Sequence, residues 1–153
     1  MRELHLLHGS VKLDDDDYEK YAHLNWCSTS KGYVVRHVKG QKGKQSLHRL
    51  ILGVESHEWA DHINGDRMDN RKENLRKCSR LENSRNMGKR KCPTSSKFKG
   101  VYWDSQMSKY RARLYHDGKN HHIGLFDTQE DAAKAYNKKA LAIQGTFARI
   151  NTI

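Results

Sequence analysis

The sequence predicts an α+β protein made of two small modules. Three observations carry that expectation. Residues 59–87 read as strand, polar loop, strand and helix. Residues 97–153 read as three strands followed by one helix. Between them, 88–96 is basic and contains the only proline, Pro93, inside a Ser/Thr-rich stretch that breaks regular structure. Hydrophobic residues are 35% of the 153 positions, so two modest cores suit this chain better than one large one.

Each element has its own justification. Residues 33–38 are β-like, and 40–44 form the turn after them. Residues 45–52 either pair back as a strand or open a short helix on Leu47, Leu50 and Ile51. Residues 59–62 form a short strand, the loop 63–73 is rich in Asn, Asp and Gly, and 75–78 return as a second strand. Ser79 followed by Glu82 is a capping-box pattern, which places a helix over 80–87. In the second module, 99–103 form a strand. Residues 109–115 then alternate, with Tyr110, Ala112 and Leu114 on one face and Lys109, Arg111, Arg113 and Tyr115 on the other. Asp117-Gly118 is a hairpin signal, and 120–126 form the third strand. Thr128 caps a helix that runs to Gln144 with an alanine-rich apolar stripe, and Gly145 ends it.

Charge sets the class of partner. Lys plus Arg number 29 against 18 Asp plus Glu, a net +11, which favours a polyanion such as nucleic acid. No run of about 18 apolar residues exists, so no membrane span is expected. Residues 1–12 lack the apolar core of a secretory signal, which favours an intracellular protein. The three cysteines are odd in number and widely spaced, so they make neither a disulfide framework nor a zinc knuckle. Acidic residues crowd 14–19, whereas 84–103 contain none.

The chemistry concentrates in one segment. Asp61-His62-Ile63-Asn64-Gly65-Asp66, Asp69-Asn70-Arg71, Glu73-Asn74-Leu75 and Leu81-Glu82-Asn83 gather carboxylates, an imidazole and amides around a polar loop. A hard divalent cation takes carboxylate and amide oxygens and keeps several waters. A histidine titrating near ~6.5 is suited to accept a proton from water at neutral pH. Phosphodiester hydrolysis uses both. On residue types alone, the same run also reads as a polar turn, because Asn and Asp bond their own backbone. Arg71 and Arg76 are candidates to steady a phosphate. His48, among Leu47, Leu50 and Ile51, reads as a packed histidine.

His48-Arg49-Leu50-Ile51, the Asp61 to Asp66 run, Asp69-Asn70-Arg71, Asn74-Leu75-Arg76 and Glu82-Asn83 together resemble the HNH endonucleases. The closer likeness is to phage and intron-encoded homing members, and Asp17-Tyr18-Glu19, Trp26 and Gly32-Tyr33 share in it. The resemblance implies a ββα-metal fold for a module over 1–87, with its core at 59–87. It implies that His62 is the general base and that Asp61 and Asn83 hold Mg2+ or Mn2+. Asn74 would tie the loop so that His62 is held in position, and the cell would be the host of a phage or mobile element.

The C-terminal segment carries a second likeness. Ser96 to Trp103, Tyr110 to Leu114, Ile123 to Thr128, Asp131 to Tyr136 and Gly145 to Asn151 resemble the Apetala/ethylene-response-factor DNA-binding domain, here 97–153. The resemblance implies readout of double-stranded DNA by the exposed sheet face, at Tyr102, Arg111, Arg113, Tyr115, Asn120 and His122. Where plant members have arginines on the first strand, this chain has Tyr102 and Trp103, so target sequence does not carry over. In the linker 88–96, Lys89, Arg90 and Lys91 are candidates to follow phosphates. The resulting expectation is a metal-dependent, site-preferring homing endonuclease, with a non-cleaving DNA-binding regulator as the alternative. One set of active-site residues per chain nicks as a monomer and needs a homodimer or two events to cut both strands. The sequence leaves that choice open.

Overall fold

A computed structural model of the protein describes residues 1–89 and 94–153. The chain divides into two compact units, Met1–Asn83 and Ser84–Ile153.

The first unit opens with a hairpin, β1 (Arg2–Leu6) and β2 (Gly9–Leu13), followed by the short helix α1 (Asp15–Tyr21). Asp14 stands at the helix N-cap position, and Asp15, Asp16 and Asp17 occupy its first turn. The acidic crowd therefore lies where the helix dipole favours negative charge. A three-stranded antiparallel sheet comes next, in the order β3 (Cys27–Ser28), β4 (Val34–His37), β5 (Lys44–Ser46). The ambiguous stretch 45–52 resolves into both expected forms. It finishes β5 and then becomes helix α2 (Leu47–Leu52), which stops at Gly53 in the left-handed conformation. Val11, Leu13, Tyr21, Val34 and Leu47 form the core, so every element named so far except β1, β3 and β5 contributes a buried side chain to it. Fully burying a side chain the size of Val11 or Leu13 stabilises the unit by about 1.5–3 kcal/mol.

The hairpin β6 (Trp59–His62) and β7 (Leu75–Cys78) is antiparallel, with His62 opposite Leu75 and Asp61 opposite Arg76. Helix α3 (Arg80–Asn86) follows, and its capping box forms in both directions. The Ser79 N–H donates to Glu82 Oε2 at 2.7 Å, and the Glu82 N–H donates to Ser79 Oγ at 3.2 Å.

The second unit is an antiparallel sheet of β8 (Val101–Asp104), β9 (Lys109–His116) and β10 (Lys119–Phe126), with helix α4 (Gln129–Gln144) packed on one face. Both turn residues Asp117 and Gly118 have positive φ, which is what a two-residue hairpin of this hand demands. Thr128 caps α4 by accepting from the Asp131 N–H at 3.1 Å. Ala112, Ala132, Ala133 and Ala140 are fully buried, and these small side chains let helix and sheet lie close. Gly100 (φ +76) shows how close: a Cβ there would sit 2.2 Å from the Tyr136 ring.

The expected spacer 88–96 is not free of the second unit where it is described. Ser96 is buried and its Oγ lies 3.1 Å from Gln129 Oε1, while the Trp103 N–H donates to Ser95 Oγ at 2.7 Å. Upstream, Lys99 Nζ donates to the carbonyls of Arg85 and Met87, both at 2.7 Å. These bonds explain why the division falls at 83/84 and not after 87. Arg90 and Lys91 lie outside the described residues. Among the described residues, no helix is long and apolar enough to cross a membrane.

Candidate functional site

The end of β6 carries Asp61 and His62, both buried. Strand pairing fixes their backbones, and the loop 63–74 then closes over them by hydrogen bonds to its own side chains. The Asn64 N–H donates to Asn74 Oδ1 at 3.0 Å, Asn74 Nδ2 donates to the Asp69 carbonyl at 2.7 Å, and the Ile63 N–H donates to the Asn74 carbonyl at 2.8 Å. Asn74 thus bridges both sides of the loop that leaves His62. Asp66 serves the turn: its N–H donates to Asn64 Oδ1 at 2.7 Å, and its Oδ1 accepts from the Met68 N–H at 3.0 Å.

His62 sits in an aromatic nest. Its ring centre is 4.9 Å from that of His48 and 6.3 Å from that of Tyr33. The Arg67 guanidinium lies over Tyr33 at 4.4 Å. His48 and His62 are only 6% and 4% exposed. Burial pushes His62 below the ordinary histidine value, against the pull of the Asn70 amide and the Asp61 carboxylate. Burial, and then His62 beside it, pushes His48 down to about 3. Both imidazoles are therefore neutral at pH 7, the form a proton acceptor needs.

Asn70 is the residue that sequence reasoning left without a role. It is fully buried, with Oδ1 3.4 Å from His62 Nε2 and Nδ2 donating to the Arg67 carbonyl at 3.0 Å. Nothing in the sequence separated it from the turn-forming amides around it. The N-terminal acidic run also has an unforeseen connection here. The Lys72 N–H donates to Asp14 Oδ2 at 2.7 Å, Lys72 Nζ reaches Asp16 and lies 3.3 Å from Asp17, and Lys12 exchanges backbone hydrogen bonds with Met68 and Asn70 at 2.9 Å.

Arg71 in the loop and Arg76 on β7 hold carboxylates. Arg76 Nε and Nη2 lie 3.2 and 2.9 Å from Asp61 Oδ2. Arg71 grips Asp69 with two bonds of 2.8 Å and also reaches Glu73. Arg71 in turn holds the Asp69 carboxyl below its usual range. Asn83 is half-buried on α3, in the same compact unit as Asp61 and His62.

A divalent ion would find few protein ligands here. Among the described residues, no group of three or more His, Cys, Asp or Glu side chains gathers as a cage. Asp61, buried and paired with Arg76, and Asn83, half-buried, would be two oxygen ligands, the small number that suits a hard cation keeping waters and taking its remaining oxygens from a phosphate.

On the second unit, strand register places six predicted residues on one face. Tyr102 pairs with Arg111, Arg113 with His122 and Tyr115 with Asn120, all opposite the face covered by α4. A bulge between His122 and Gly124 absorbs Ile123 on the core side and so keeps His122 outward. Arg111 pairs with Asp104, and the Arg113 guanidinium lies 4.7 Å from the Tyr102 ring centre.

His62, buried and with its pKa pushed below the ordinary histidine value, thus lies next to the buried Asp61 carboxylate on a strand–loop–strand–helix segment. Residues 53–85 match the family model for HNH endonuclease, and the chain belongs to the HNH endonuclease family. An uncharacterized HNH endonuclease of Acanthamoeba polyphaga mimivirus is 32% identical over 144 residues, covering 90% of this chain and 72% of that protein. Protein 3.8 of Escherichia phage T7 is 33% identical over 91 residues, 60% of this chain and 74% of its own length. No solved structure matches. The family places the chain among nucleases that act on DNA and generally depend on a divalent metal.

Proposed function

We propose that the chain is a site-preferring DNA endonuclease of the homing type. The segment β6–β7–α3 would be a ββα-metal module that hydrolyses a phosphodiester bond. The observation that carries this reading is the buried, neutral His62 held 3.4 Å from Asn70 at the end of the strand that also carries Asp61.

Each residue then has a task. With its Nε2–H turned toward Asn70, His62 presents Nδ1 as the basic atom and takes the proton of the attacking water. The water oxygen bonds to phosphorus, and the bond from phosphorus to the leaving oxygen breaks. Asp61 and Asn83 would hold the divalent cation, Mg2+ or Mn2+, which supplies charge stabilisation to the leaving oxygen. Arg76 keeps the Asp61 carboxylate oriented, and Asn74 ties the loop that fixes the His62 backbone. Arg71 suits a loop clamp better than a phosphate contact, because its guanidinium already grips Asp69.

The second unit would supply the site preference. It resembles an Apetala/ethylene-response-factor domain, and its open face carries Tyr102, Arg111, Arg113, Tyr115, Asn120 and His122. A sheet of this size enters the DNA major groove, where arginine pairs with guanine. Lys89, with Arg90 and Lys91, would add contacts to phosphates. The viral and phage relatives accord with an origin on a mobile element.

The test is nicking of supercoiled DNA from the encoding replicon with Mg2+ or Mn2+, comparing the wild type with His62→Ala. Metal-dependent nicking that the variant loses while it still binds DNA supports the reading. Binding without nicking by a folded wild type assigns the chain to non-cleaving regulation. Equal nicking by both proteins removes His62 from the role of base.

A further inference from the structure

The second unit has a cleft that neither the nuclease hairpin nor the open sheet face uses. It lies where the segment entering β8 meets residues 149–152, and its volume is about 300 Å³. Asn151 ties the two lining segments to each other and to α4. Its Oδ1 accepts from the Lys99 N–H at 2.6 Å, its Nδ2 donates to the Lys99 carbonyl at 3.1 Å, and its own N–H donates to Asn137 Oδ1 at 2.7 Å.

Lys89, Lys97, Lys99 and Arg149 line this cleft, and none of the described residues lining it carries a carboxylate side chain. Two of the cations, Lys99 and Lys89, are positioned by the fold. Lys99 Nζ spends two of its three N–H bonds on the Arg85 and Met87 carbonyls, and Lys89 Nζ donates to the Phe98 carbonyl at 2.9 Å. Lys97 lies 3.5 Å from Glu130, a solvent-exposed pair of little strength. Burial, and then Arg149, lowers the Lys99 ammonium to about 8. Like charges gathered in one cleft repel, and an anion seated among them offsets that repulsion. Phe98 is buried, so the cleft presents no exposed aromatic ring on which a base could stack. The chemistry is that of a phosphate without its base.

We propose that this cleft seats one backbone phosphate of duplex DNA, as a sequence-independent anchor separate from the reading face of the sheet. The proposal rests on the DNA-binding function proposed for the chain and adds Lys97, Lys99 and Arg149 to it. Lys99 is left unchanged in the test because it also holds the 85–87 turn.

The experiment measures binding of the full chain to two duplexes of unrelated sequence, from about 50 to 200 mM salt. Lys97→Gln/Arg149→Gln is expected to weaken both duplexes equally and to lower the salt slope by about one unit, the loss of one phosphate contact. The milder Lys97→Arg/Arg149→Lys variant keeps both charges and should restore the slope. An unchanged slope in a folded Gln variant, with wild-type binding intact, overturns the anchor alone. No binding by the wild type at any salt overturns the DNA reading and the anchor together. In a second arm, inorganic phosphate is added during thermal unfolding. A phosphate-dependent rise in Tm that the Gln variant loses, with an unchanged DNA slope, reassigns the cleft to free phosphate and overturns the DNA seat.

Discussion

The Nε2 atom of His62 faces the side-chain oxygen of Asn70 at 3.4 Å, inside a loop where Asn70 is itself fully buried. The contact is long for a hydrogen bond, so its value lies in choosing which imidazole nitrogen carries the proton. Asn70→Ala removes that choice and also leaves the Arg67 carbonyl without its donor. If His62 is the base, nicking should fall about 10–100-fold, the scale seen when a group that orients a metal-binding histidine is removed. DNA affinity should hold, so single-turnover rates and binding curves on one substrate check it. A loss of affinity with an unchanged rate would refute the orienting role.

Acid should destabilise the first unit through its paired histidines. His48 is neutral when folded down to about pH 3, but in the unfolded chain it protonates near 6.5. His62 is shifted in the same direction. The unfolded state therefore binds more protons as pH drops below 6.5, and stability declines from there toward pH 3. Thermal melts at a series of pH values should show a falling Tm across that window. His48→Gln should make the dependence shallower. A Tm independent of pH from 7 to 5 would contradict the burial of these rings.

Gly100→Ala should unfold or strongly weaken the second unit. The added Cβ would lie 2.2 Å from Tyr136 Cε2 and 2.7 Å from the Arg113 carbonyl, at a backbone angle that suits only glycine. Overpacking and the left-handed backbone together predict a loss of about 2–5 kcal/mol in chemical denaturation. A loss under about 1 kcal/mol would mean that helix and sheet are not this tightly apposed.

On the sheet face, Arg111→Ala and Arg113→Ala should each reduce discrimination between preferred and unrelated DNA by about 1–3 kcal/mol. Lys89→Gln should weaken both DNAs alike. Competition binding distinguishes the two patterns, and equal ratios for all three variants would end the division between reading and anchoring. Asp104→Asn, which weakens the ion pair to Arg111, should act on discrimination and leave general affinity nearly unchanged.

The elements that could be read in advance share a property: their signals are local. The Ser79–Glu82 box, the Asp117-Gly118 turn, the Thr128 cap and the alternation through β9 each specify structure within a few residues. The N-terminal hairpin escaped because its turn, Leu7-His8 before Gly9, has no familiar signature. Its strands are stabilised by Val34 and Leu47, which arrive much later in the chain. At the candidate site, the residue types around His62 were legible, but the partner of each was not. Arg71 read as a candidate phosphate contact, with no sign that Asp69 two residues earlier holds it, and Asn70 read as one more turn amide. Side chains that act across a loop leave no periodic trace.

The stitching of Lys12, Asp14 and Asp16 to Met68, Asn70 and Lys72 limits how far the nuclease segment can travel by itself. The family match begins at residue 53, yet the shape of the loop after His62 is borrowed from a hairpin and helix more than 30 residues upstream. Grafting 53–85 alone onto a DNA-binding domain would transplant the family segment without its frame. On the function proposed above, a chimera meant to cut at a new address should therefore carry the first unit whole and exchange only the second.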